Sequence, residues 1–294
     1  MRDTGGRFRP GFRPRRSLGQ NFLVNEGAIE TIVQAFNPRP EDLVLEIGPG
    51  QGALSRRVAG RVARLLAVEV DPLLAADLRE TLAASLAPGS FEILEADILA
   101  LPPETLIGAL GASAARPGRV LANLPYNIAT AVILTLLPCR PALRDLMVMV
   151  QREVAQRIRS APGPKIYGSL SVLCQAFARV DSILRLGPGS FRPRPAVDSE
   201  VIHLTLKDPG GAAGSDFHGF ARLTRAAFAN RRKTLLNNLA AIAGPAGLPL
   251  GPVEAATLAR AAGLDPARRA EEIPVAGFLA LHETWTGMAA SRAL

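Results

Sequence analysis

The sequence is poor in the residue types that build metal centres and disulfide frameworks. Its 294 residues include two cysteines and three histidines. Neither a cysteine-based zinc site nor a disulfide scaffold can be assembled from so few. No uninterrupted apolar run approaches the ~20 residues that cross a bilayer, and the first sixteen residues lack the apolar segment of a secretory signal. We therefore expect a cytoplasmic protein that holds no metal.

What the sequence does have is apolar residues and an uneven charge. Hydrophobic residues make up 48% of the chain and charged residues 20%, which predicts a sizeable core. The net charge of +8 is concentrated in residues 1–16 and 215–294, whereas residues 17–214 are neutral overall. This distribution favours a polyanionic partner such as a nucleic acid. An Arg-rich composition without a bound partner is the alternative explanation.

The hydrophobic pattern predicts two folded domains after a flexible basic tail over residues 1–14. Short apolar runs, typical of buried strands, alternate with helical periodicity as far as residue 206. This alternation predicts an α/β domain over 15–208, with a mostly parallel sheet covered on both faces. Strand patterns then cease, and residues 215–294 are predicted to form a small all-α domain. The predicted strands lie at 43–47, 65–70, 91–97, 119–124, 145–151, 182–186 and 201–206.

A glycine-rich segment, EIGPGQG, follows the first of these strands. Gly48, Gly50 and Gly52 permit a tight turn and let a ligand approach the backbone without meeting a Cβ atom. The spacing differs from the G-x-G-x-x-G pattern of dinucleotide sites. By itself, the segment indicates either a nucleotide-like ligand or an ordinary strand-to-helix turn.

The next two strands end in carboxylates. Glu69 ends the second strand, where it could accept hydrogen bonds from both hydroxyls of a ribose. Asp97 ends the third strand, where its carboxylate or the neighbouring backbone could hold an adenine amino group. The alternative is that Asp97 caps a helix and Glu69 is solvated. Together with the glycine turn, these strand ends favour a site for a dinucleotide or for S-adenosylmethionine.

The fourth strand runs into Asn-Leu-Pro-Tyr, which discriminates between these two ligands. Pro125 disfavours a helical conformation for Leu124, so the Leu124 carbonyl can point into the cleft. Asn123 supplies a side-chain carbonyl and Tyr126 an aromatic face. An exocyclic purine amine that attacks an electrophilic methyl group needs two such acceptors and a stacking ring, and no strong base. The alternative is a turn whose tyrosine packs in the core.

Several segments resemble signatures of the ribosomal RNA adenine N6-dimethyltransferase family, specifically its small-subunit branch. The resemblance covers about residues 15–285, and the segments follow one another in the family's order. Asn25, where aspartate is more usual, is a slight departure. The segments are RRSLGQNFLVN (15–25), VLEIGPGQGALS (44–55), VEVD (68–71), ADIL (96–99), NLPYNI (123–128), MVQREVAQRI (149–158), FRPRPAVDSEV (191–201) and FANRRKTLLNNL (228–239).

The resemblance implies a Rossmann-like, S-adenosylmethionine-dependent (class I) methyltransferase domain and a helical RNA-binding domain. It also implies that the loop before the first helix closes over the cofactor, and that Phe191 helps to sandwich the target base. The cofactor-binding residues that it implies are Gln20, Asn21, Leu23, Gly48, Gly50, Glu69, Asp97 and Asn123. The catalytic residues that it implies are Asn123, Leu124, Pro125, Tyr126 and Phe191.

Basic residues in two regions are candidates for contacts with RNA phosphates. One pair borders the predicted fifth strand, and the others begin the C-terminal domain. Arg225 and Arg232 are seven residues apart and are predicted to share a helix face. A solvated helix face is the alternative interpretation. The candidates are Arg152, Arg157, Arg222, Arg225, Arg231, Arg232 and Lys233.

The activity implied by the resemblance is dimethylation of N6 on each of two adjacent adenosines near the 3′ end of small-subunit (16S) ribosomal RNA. The partner is then an immature 30S particle, and the enzyme is expected to be a monomer. Two alternatives remain open. One is a large-subunit rRNA adenine methyltransferase of the macrolide-resistance type. The other is a non-catalytic RNA- or DNA-binding assembly or transcription factor, against which the intact Glu69, Asp97 and NLPY segment argue.

Overall fold

The computed structural model describes residues 14–15, 18–83, 86–242 and 250–292. The predicted tail lies outside these residues, apart from Pro14. The chain divides into two compact units. The first comprises Met1–Ala155 and Asp181–Leu206, and the second Gln156–Val180 and Lys207–Leu294. Within the described residues, none of the helices has the length and apolar character that crossing a bilayer requires.

Strands and helices alternate through the first part of the chain, as the apolar pattern predicts. In chain order the elements are β1 (Phe22–Leu23), α1 (Glu26–Phe36), β2 (Leu43–Ile47), α2 (Ser55–Val58), β3 (Arg64–Glu69), α3 (Pro72–Ala83), β4 (Phe91–Glu95), α4 (Pro103–Leu110), β5 (Gly118–Asn123), α5 (Ala129–Leu136) and β6 (Leu143–Gln151).

Two helices and three strands follow, and after Leu206 the elements found among the described residues are all helices. The elements are α6 (Arg152–Arg159), α7 (Ser169–Phe177), β7 (Ala178–Leu186), β8 (Phe191–Arg192), β9 (Ser199–Leu206), α8 (Gly211–Ser215), α9 (Phe217–Ala227), α10 (Leu235–Leu239), α11 (Gly251–Ala261) and α12 (Val275–Arg292).

Seven strands form one sheet in the order β4-β3-β2-β5-β6-β9-β7, which confirms the predicted α/β class. The strands from β4 to β6 are parallel, and β9 runs antiparallel to β6. Every residue of β2 is buried. A strand buried at all positions must be covered on both faces, which explains why its sequence is apolar rather than alternating. The two short strands β1 and β8 form a separate antiparallel pair.

Apolar helix faces pack on the sheet and form its core. Ile32, Val33 and Phe36 of α1 belong to one cluster with Val44 of β2 and Leu121 of β5. A second cluster joins residues of α3 to β3 and β4. Full burial of an aliphatic or phenylalanine side chain contributes about 1.5–3 kcal/mol, so these clusters hold the parallel strands in register. Their carboxyl ends therefore form a rigid edge.

The second unit includes α7, a segment that the sequence analysis assigned to the α/β domain. The Phe177 ring at the end of α7 lies 5.1 Å from the Phe217 ring and 5.9 Å from the Phe220 ring of α9. These aromatic contacts tie residues 156–180 to the helices that follow Lys207. The sequence position of α7, ahead of the last strands, gives no sign of this association.

The helix α9 ends earlier than the spacing of its arginines predicts. Its last residue is Ala227. The Asn238 side chain donates hydrogen bonds to the carbonyl oxygens of Ala227 (2.7 Å) and Asn230 (3.0 Å), so these carbonyls are satisfied without another helical turn. Arg225 is helical and Arg232 lies in the following turn. The predicted shared helix face is therefore wrong.

Candidate active site

A pocket lies at the carboxyl ends of β2, β3, β4 and β5, where open parallel sheets usually bind ligands. The N-terminal loop, residues 18–23, contributes to its lining. All the cofactor-binding residues named from the sequence line this pocket, as does the NLPY segment. They are Gln20, Asn21, Leu23, Gly48, Gly50, Glu69, Asp97, Asn123, Leu124, Pro125 and Tyr126.

The glycine turn forms one wall of the pocket. Gly48 and Gly50 have φ angles of +65° and +57°, which side chains with a Cβ atom rarely adopt. A Cβ atom on Gly50 would also lie 2.9 Å from the ring of Phe22. The close approach of β1 to this turn therefore requires glycine at position 50.

Glu69 is buried and connects the glycine turn to the end of β3. One carboxylate oxygen accepts a hydrogen bond from the Gly50 N–H and the other from the Asp71 N–H, both at 3.0 Å. Burial raises the pKa of Glu69, and the two N–H groups oppose that rise. The side chain is 5% exposed, which excludes the interpretation of a solvated carboxylate. Each oxygen retains a lone pair for a further donor such as a hydroxyl group.

Asp97 is exposed at the rim of the same pocket. Its Oδ1 atom accepts a hydrogen bond from the Leu99 N–H at 2.9 Å and caps the 3-10 turn Ile98–Ala100. The capping role that we considered as an alternative is therefore real. It occupies one oxygen of the carboxylate, and the second retains its capacity to accept a hydrogen bond.

The N-terminal loop is hydrogen-bonded to two strand ends. The Gln20 side chain donates to Asp71 Oδ2 at 3.0 Å, and its oxygen accepts from the Arg15 N–H at 2.7 Å. Asn123 Nδ2 donates to the Asn21 carbonyl at 3.1 Å. These bonds hold the loop over the pocket. They also use the nitrogen of the Asn123 amide, so its oxygen remains as an acceptor.

Tyr126 is half-buried at the pocket, which differs from the alternative of a core tyrosine. Its hydroxyl lies 2.6 Å from the Ser199 Oγ atom on β9. Burial raises the pKa of Tyr126, and the Ser199 hydrogen bond acts in the opposite direction. After Pro125, whose carbonyl accepts from the N–H groups of Ile128 and Ala129, the chain enters α5.

Phe191, which the resemblance places against the target base, is buried and does not line the pocket. Its ring is 1% exposed and belongs to the core cluster that contains Leu23. Pairing of β8 with β1 places Leu23 opposite Phe191 and directs the phenylalanine into the core. The ring is enclosed by its neighbours in the core, and its contact with the target base stays a prediction.

Glu46 was missed by the sequence analysis. It lies within β2 and lines the pocket, with 2% exposure. Burial raises its pKa to about 7, opposed by Ser55 and assisted by the charge of Glu69. Among the described residues, its Oε2 atom finds no hydrogen-bond partner. A single acidic residue within the apolar strand LVLEI was the signal that could have identified it.

The basic candidates differ in their partners. Arg152 follows directly on β6 and forms an ion pair with Asp198 at 3.3 Å. The guanidinium group of Arg222 lies 4.9 Å from the centre of the Trp285 ring. Arg231 approaches Glu271 at 3.7 Å. The six candidates in the second unit are all exposed, and they are Arg157, Arg222, Arg225, Arg231, Arg232 and Lys233.

Comparisons with known proteins agree with this geometry. The chain is 40% identical over 281 residues to the ribosomal RNA small subunit methyltransferase A of Pelotomaculum thermopropionicum, covering 94% of this chain and 93% of that protein. It is 42% identical over 285 residues to the protein of the same name from Kineococcus radiotolerans, covering 95% and 87%.

Solved structures share the fold. A dimethyladenosine transferase from Plasmodium falciparum has a TM-score of 0.71 at 22% identity, covering 88% of this chain and 95% of that one. The 23S rRNA methyltransferase ErmE has a TM-score of 0.63 at 23% identity, covering 90% and 100%. A model of the family described as ribosomal RNA adenine dimethylase matches residues 11–283. The chain therefore belongs to the ribosomal RNA adenine dimethylase family.

Proposed function

We propose that the protein uses S-adenosylmethionine to dimethylate N6 of two adjacent adenosines near the 3′ end of small-subunit (16S) ribosomal RNA, within an immature 30S particle. The observation that carries the proposal is the meeting of the glycine turn, Glu69 and Asp97 with the NLPY segment in one pocket. The names of the relatives support the small subunit as the substrate.

The chemistry of the pocket fits S-adenosylmethionine. Glu69 can accept hydrogen bonds from the ribose hydroxyls, and Asp97 can accept one from the adenine amino group. The buried, unpartnered Oε2 atom of Glu46 suits a cationic group, because an unpaired buried carboxylate is costly. Gly48 and Gly50 leave room for close approach to the backbone. When bound, S-adenosylmethionine supplies an electrophilic methyl group.

The NLPY residues act on the amine of the target adenine. The Asn123 side-chain oxygen and the Leu124 carbonyl accept hydrogen bonds from its N–H groups and draw the nitrogen towards tetrahedral geometry. The nitrogen lone pair, otherwise delocalised into the purine ring, becomes available for attack. The Tyr126 ring stacks on the base and compensates part of the stacking lost when the adenine leaves the RNA helix. Loop residues 18–23 exclude water from this side of the pocket.

In this proposal residues 215–294 serve as the RNA-binding domain, and the basic candidates contact RNA phosphates. These candidates are Arg152, Arg157, Arg222, Arg225, Arg231, Arg232 and Lys233. Such contacts contribute charge-dependent affinity that falls with salt. Replacing Arg225 by Gln should weaken RNA binding and lower its salt dependence. Replacing Arg260 by Gln, an exposed arginine of α11 outside the candidate set, is the matched control. Equal effects of the two changes would contradict the assignment.

The test of the function is methyl transfer to defined particles. Immature small subunits and large subunits are incubated separately with tritiated S-adenosylmethionine, and the RNA is digested to nucleosides. We expect label in N6,N6-dimethyladenosine from small subunits, and loss of that label with Tyr126→Ala. Label found solely in large subunits, or solely in cytidine or guanosine, would overturn the proposal. Sedimentation of the purified protein tests the expected monomer.

A further inference from the structure

We propose that Ser199 is a positioning residue for methyl transfer, because its buried hydroxyl fixes the Tyr126 ring in the orientation that stacks on the target adenine. The inference rests on the proposed function, in which Tyr126 touches the base. It assigns to the segment FRPRPAVDSEV a contribution other than the one expected of Phe191.

The contact itself is short and well shielded. Tyr126 Oη and Ser199 Oγ are 2.6 Å apart, at the short side of the usual O–H···O distance of about 2.7–2.8 Å. Ser199 is 0% exposed. A buried hydroxyl that loses its partner pays the cost of its lost hydration, so the pair stabilises one position of the tyrosine ring against the alternatives.

Ser199 is held by the sheet rather than by a loop. It is the first residue of β9 and lies opposite Gln151 in the antiparallel register with β6. The preceding residue, Asp198, accepts a hydrogen bond from the Arg152 N–H at 2.9 Å and forms an ion pair with the Arg152 side chain. On the other side, the buried Glu200 accepts from the Ser182 hydroxyl. The backbone of Ser199 is therefore held in place on both sides, and its hydroxyl has a defined position.

Tyr126 has no such support from its own backbone, because it lies outside regular structure, between β5 and α5. A partly exposed tyrosine on a turn can occupy several rotamers, and ordering one of them costs entropy. A hydrogen bond to a rigid strand restricts the ring before the base arrives. A ring that is already oriented for stacking raises the rate of the chemical step, because the base then binds directly in the reactive geometry.

The first experiment is a double-mutant cycle on single-turnover methyl transfer, with Ser199→Ala, Tyr126→Phe and the double variant. Each single change removes the same hydrogen bond from one side, so each should lower the rate about 10-fold, the equivalent of about 1.4 kcal/mol. The double variant should be no slower than Tyr126→Phe. The affinity for S-adenosylmethionine should change less than twofold in Ser199→Ala. Additive losses in the double variant would overturn the inference.

The second experiment observes the ring directly. The chain has two tyrosines, and Tyr167 donates its hydroxyl to the Ile273 carbonyl at 2.9 Å in the second unit. NMR of protein labelled on the tyrosine rings therefore gives one signal to follow and one internal reference. We expect Ser199→Ala to shift the Tyr126 signal and to leave the Tyr167 signal in place. An unmoved Tyr126 signal would contradict the proposal.

The matched control is Ser171→Ala. Ser171 is also 0% exposed, and its hydroxyl donates to the Arg157 carbonyl and accepts from the Gly168 N–H. The Ser171→Ala variant lacks one buried hydroxyl in the second unit. Its free energy of unfolding therefore measures how much the loss of a buried hydroxyl destabilises this protein. We expect reduced stability with an unchanged transfer rate and Tyr126 signal. If Ser171→Ala lost as much of the transfer rate as Ser199→Ala, the rate loss of Ser199→Ala would be a consequence of lower stability. The positioning role of Ser199 would then fall.

Failure of the proposed function would be distinguishable from failure of the inference. If Tyr126→Ala still transferred methyl groups to adenine, the assignment of the ring to base stacking would fall. If Tyr126→Ala were inactive while Ser199→Ala kept the wild-type rate, the stacking role would stand and the positioning role of Ser199 would fall.

Discussion

The two ends of the parallel strands bury charge in opposite ways. At the amino ends, Arg119 lies between two buried carboxylates, with 2.9 Å to Asp42 and 2.9 Å to Asp145. His203 adds a hydrogen bond to Asp145 at 3.0 Å, and the Phe36 ring lies 4.0 Å from the guanidinium carbon. Burial alone would raise the pKa of Asp145, but His203 and Arg119 lower it below its usual range.

At the carboxyl ends, the buried carboxylates face mainly neutral donors. Glu69 is held by two backbone N–H groups, and one oxygen of Glu46 has no partner among the described residues. Burial raises the pKa of both side chains, that of Glu46 to about 7. In this fold the buried charges are paired at the strand ends that lie away from the pocket. At the pocket they are left incompletely paired, where a ligand is expected to supply the missing partners.

The largest loss of stability is expected at the amino ends of the strands, where the buried charges are paired. Arg119→Met removes the cation and leaves Asp42 and Asp145 buried without their main partner. Breaking a buried pair in this way costs about 3–5 kcal/mol of unfolding free energy. Urea denaturation measures the loss, and cofactor affinity at the other end of the strands should change less than twofold. The double variant Arg119→Met/Asp145→Asn should recover part of the stability. A loss under about 1 kcal/mol would remove the distinction between the two ends.

The next prediction concerns Glu46 at the carboxyl ends of the strands and the pH dependence of the unfolding free energy. The folded-state pKa of Glu46, about 7, lies above its unfolded value of 4.5. The stability that this group contributes is therefore present below pH 4.5 and is lost as the pH rises through 7. Glu46→Gln, neutral at every pH, should gain on the order of 3 kcal/mol relative to wild type between pH 5 and pH 8 without cofactor.

The same change should weaken binding of S-adenosylmethionine, because the amide cannot neutralise a cationic group. Glu46→Gln should thus raise the unfolding free energy at pH 8 and lower the cofactor affinity. Such a trade-off between stability and function is common at functional residues. Denaturation at pH 5 and pH 8 and calorimetric titration provide the two measurements. Parallel pH profiles for Glu46→Gln and wild type would show that Glu46 is not the unpaired charge that we describe.

A third prediction tests whether Glu69 belongs to the ligand. Glu69→Ala should lower cofactor affinity at least about 100-fold, since a carboxylate that binds two hydroxyls contributes about 1.5–3 kcal/mol per bond. Methyl transfer at low cofactor concentration should fall in proportion. Glu95→Ala is the matched control, because Glu95 pairs with Glu69 in the register of β3 and β4 but is exposed. Affinities that fall equally in both variants would indicate a general charge effect.

The contrast between the two ends also explains what the sequence could predict. Glu69, Asp97 and the NLPY segment were identifiable because polar residues that directly follow apolar strands must meet at one edge of a parallel sheet. Glu46 sits one residue before the end of its strand, and periodicity alone does not say that its side chain reaches the pocket. His203 is 58 residues from Asp145, so their pairing depends on the antiparallel placement of β9.

Two further features that the sequence did not predict, the burial of Phe191 and the end of α9, have the same physical origin in tertiary contacts. Phe191 follows a turn, and its burial is decided by the pairing of β8 with β1. Arg232 leaves the helix because the Asn238 side chain satisfies the carbonyl of Ala227. Both outcomes depend on partners distant in the sequence or in the next helix, for which spacing rules carry no information.

We expect the smallest effect for Arg144, which shares Asp42 with Arg119 at the amino ends of the strands. Arg144 approaches the second oxygen of Asp42 at 3.2 Å, but its side chain is 48% exposed, against 7% for Arg119. Water screens its charge, and an exposed pair contributes about 0–1 kcal/mol. Arg144→Ala should therefore lower the unfolding free energy by about 0.5 kcal/mol and leave cofactor affinity unchanged. Because Arg144 and Arg119 share Asp42, urea denaturation of the two single variants side by side separates burial from partner identity. A loss for Arg144→Ala that approached the loss for Arg119→Met would mean that charge pairing, and not enclosure, stabilises this end of the strands.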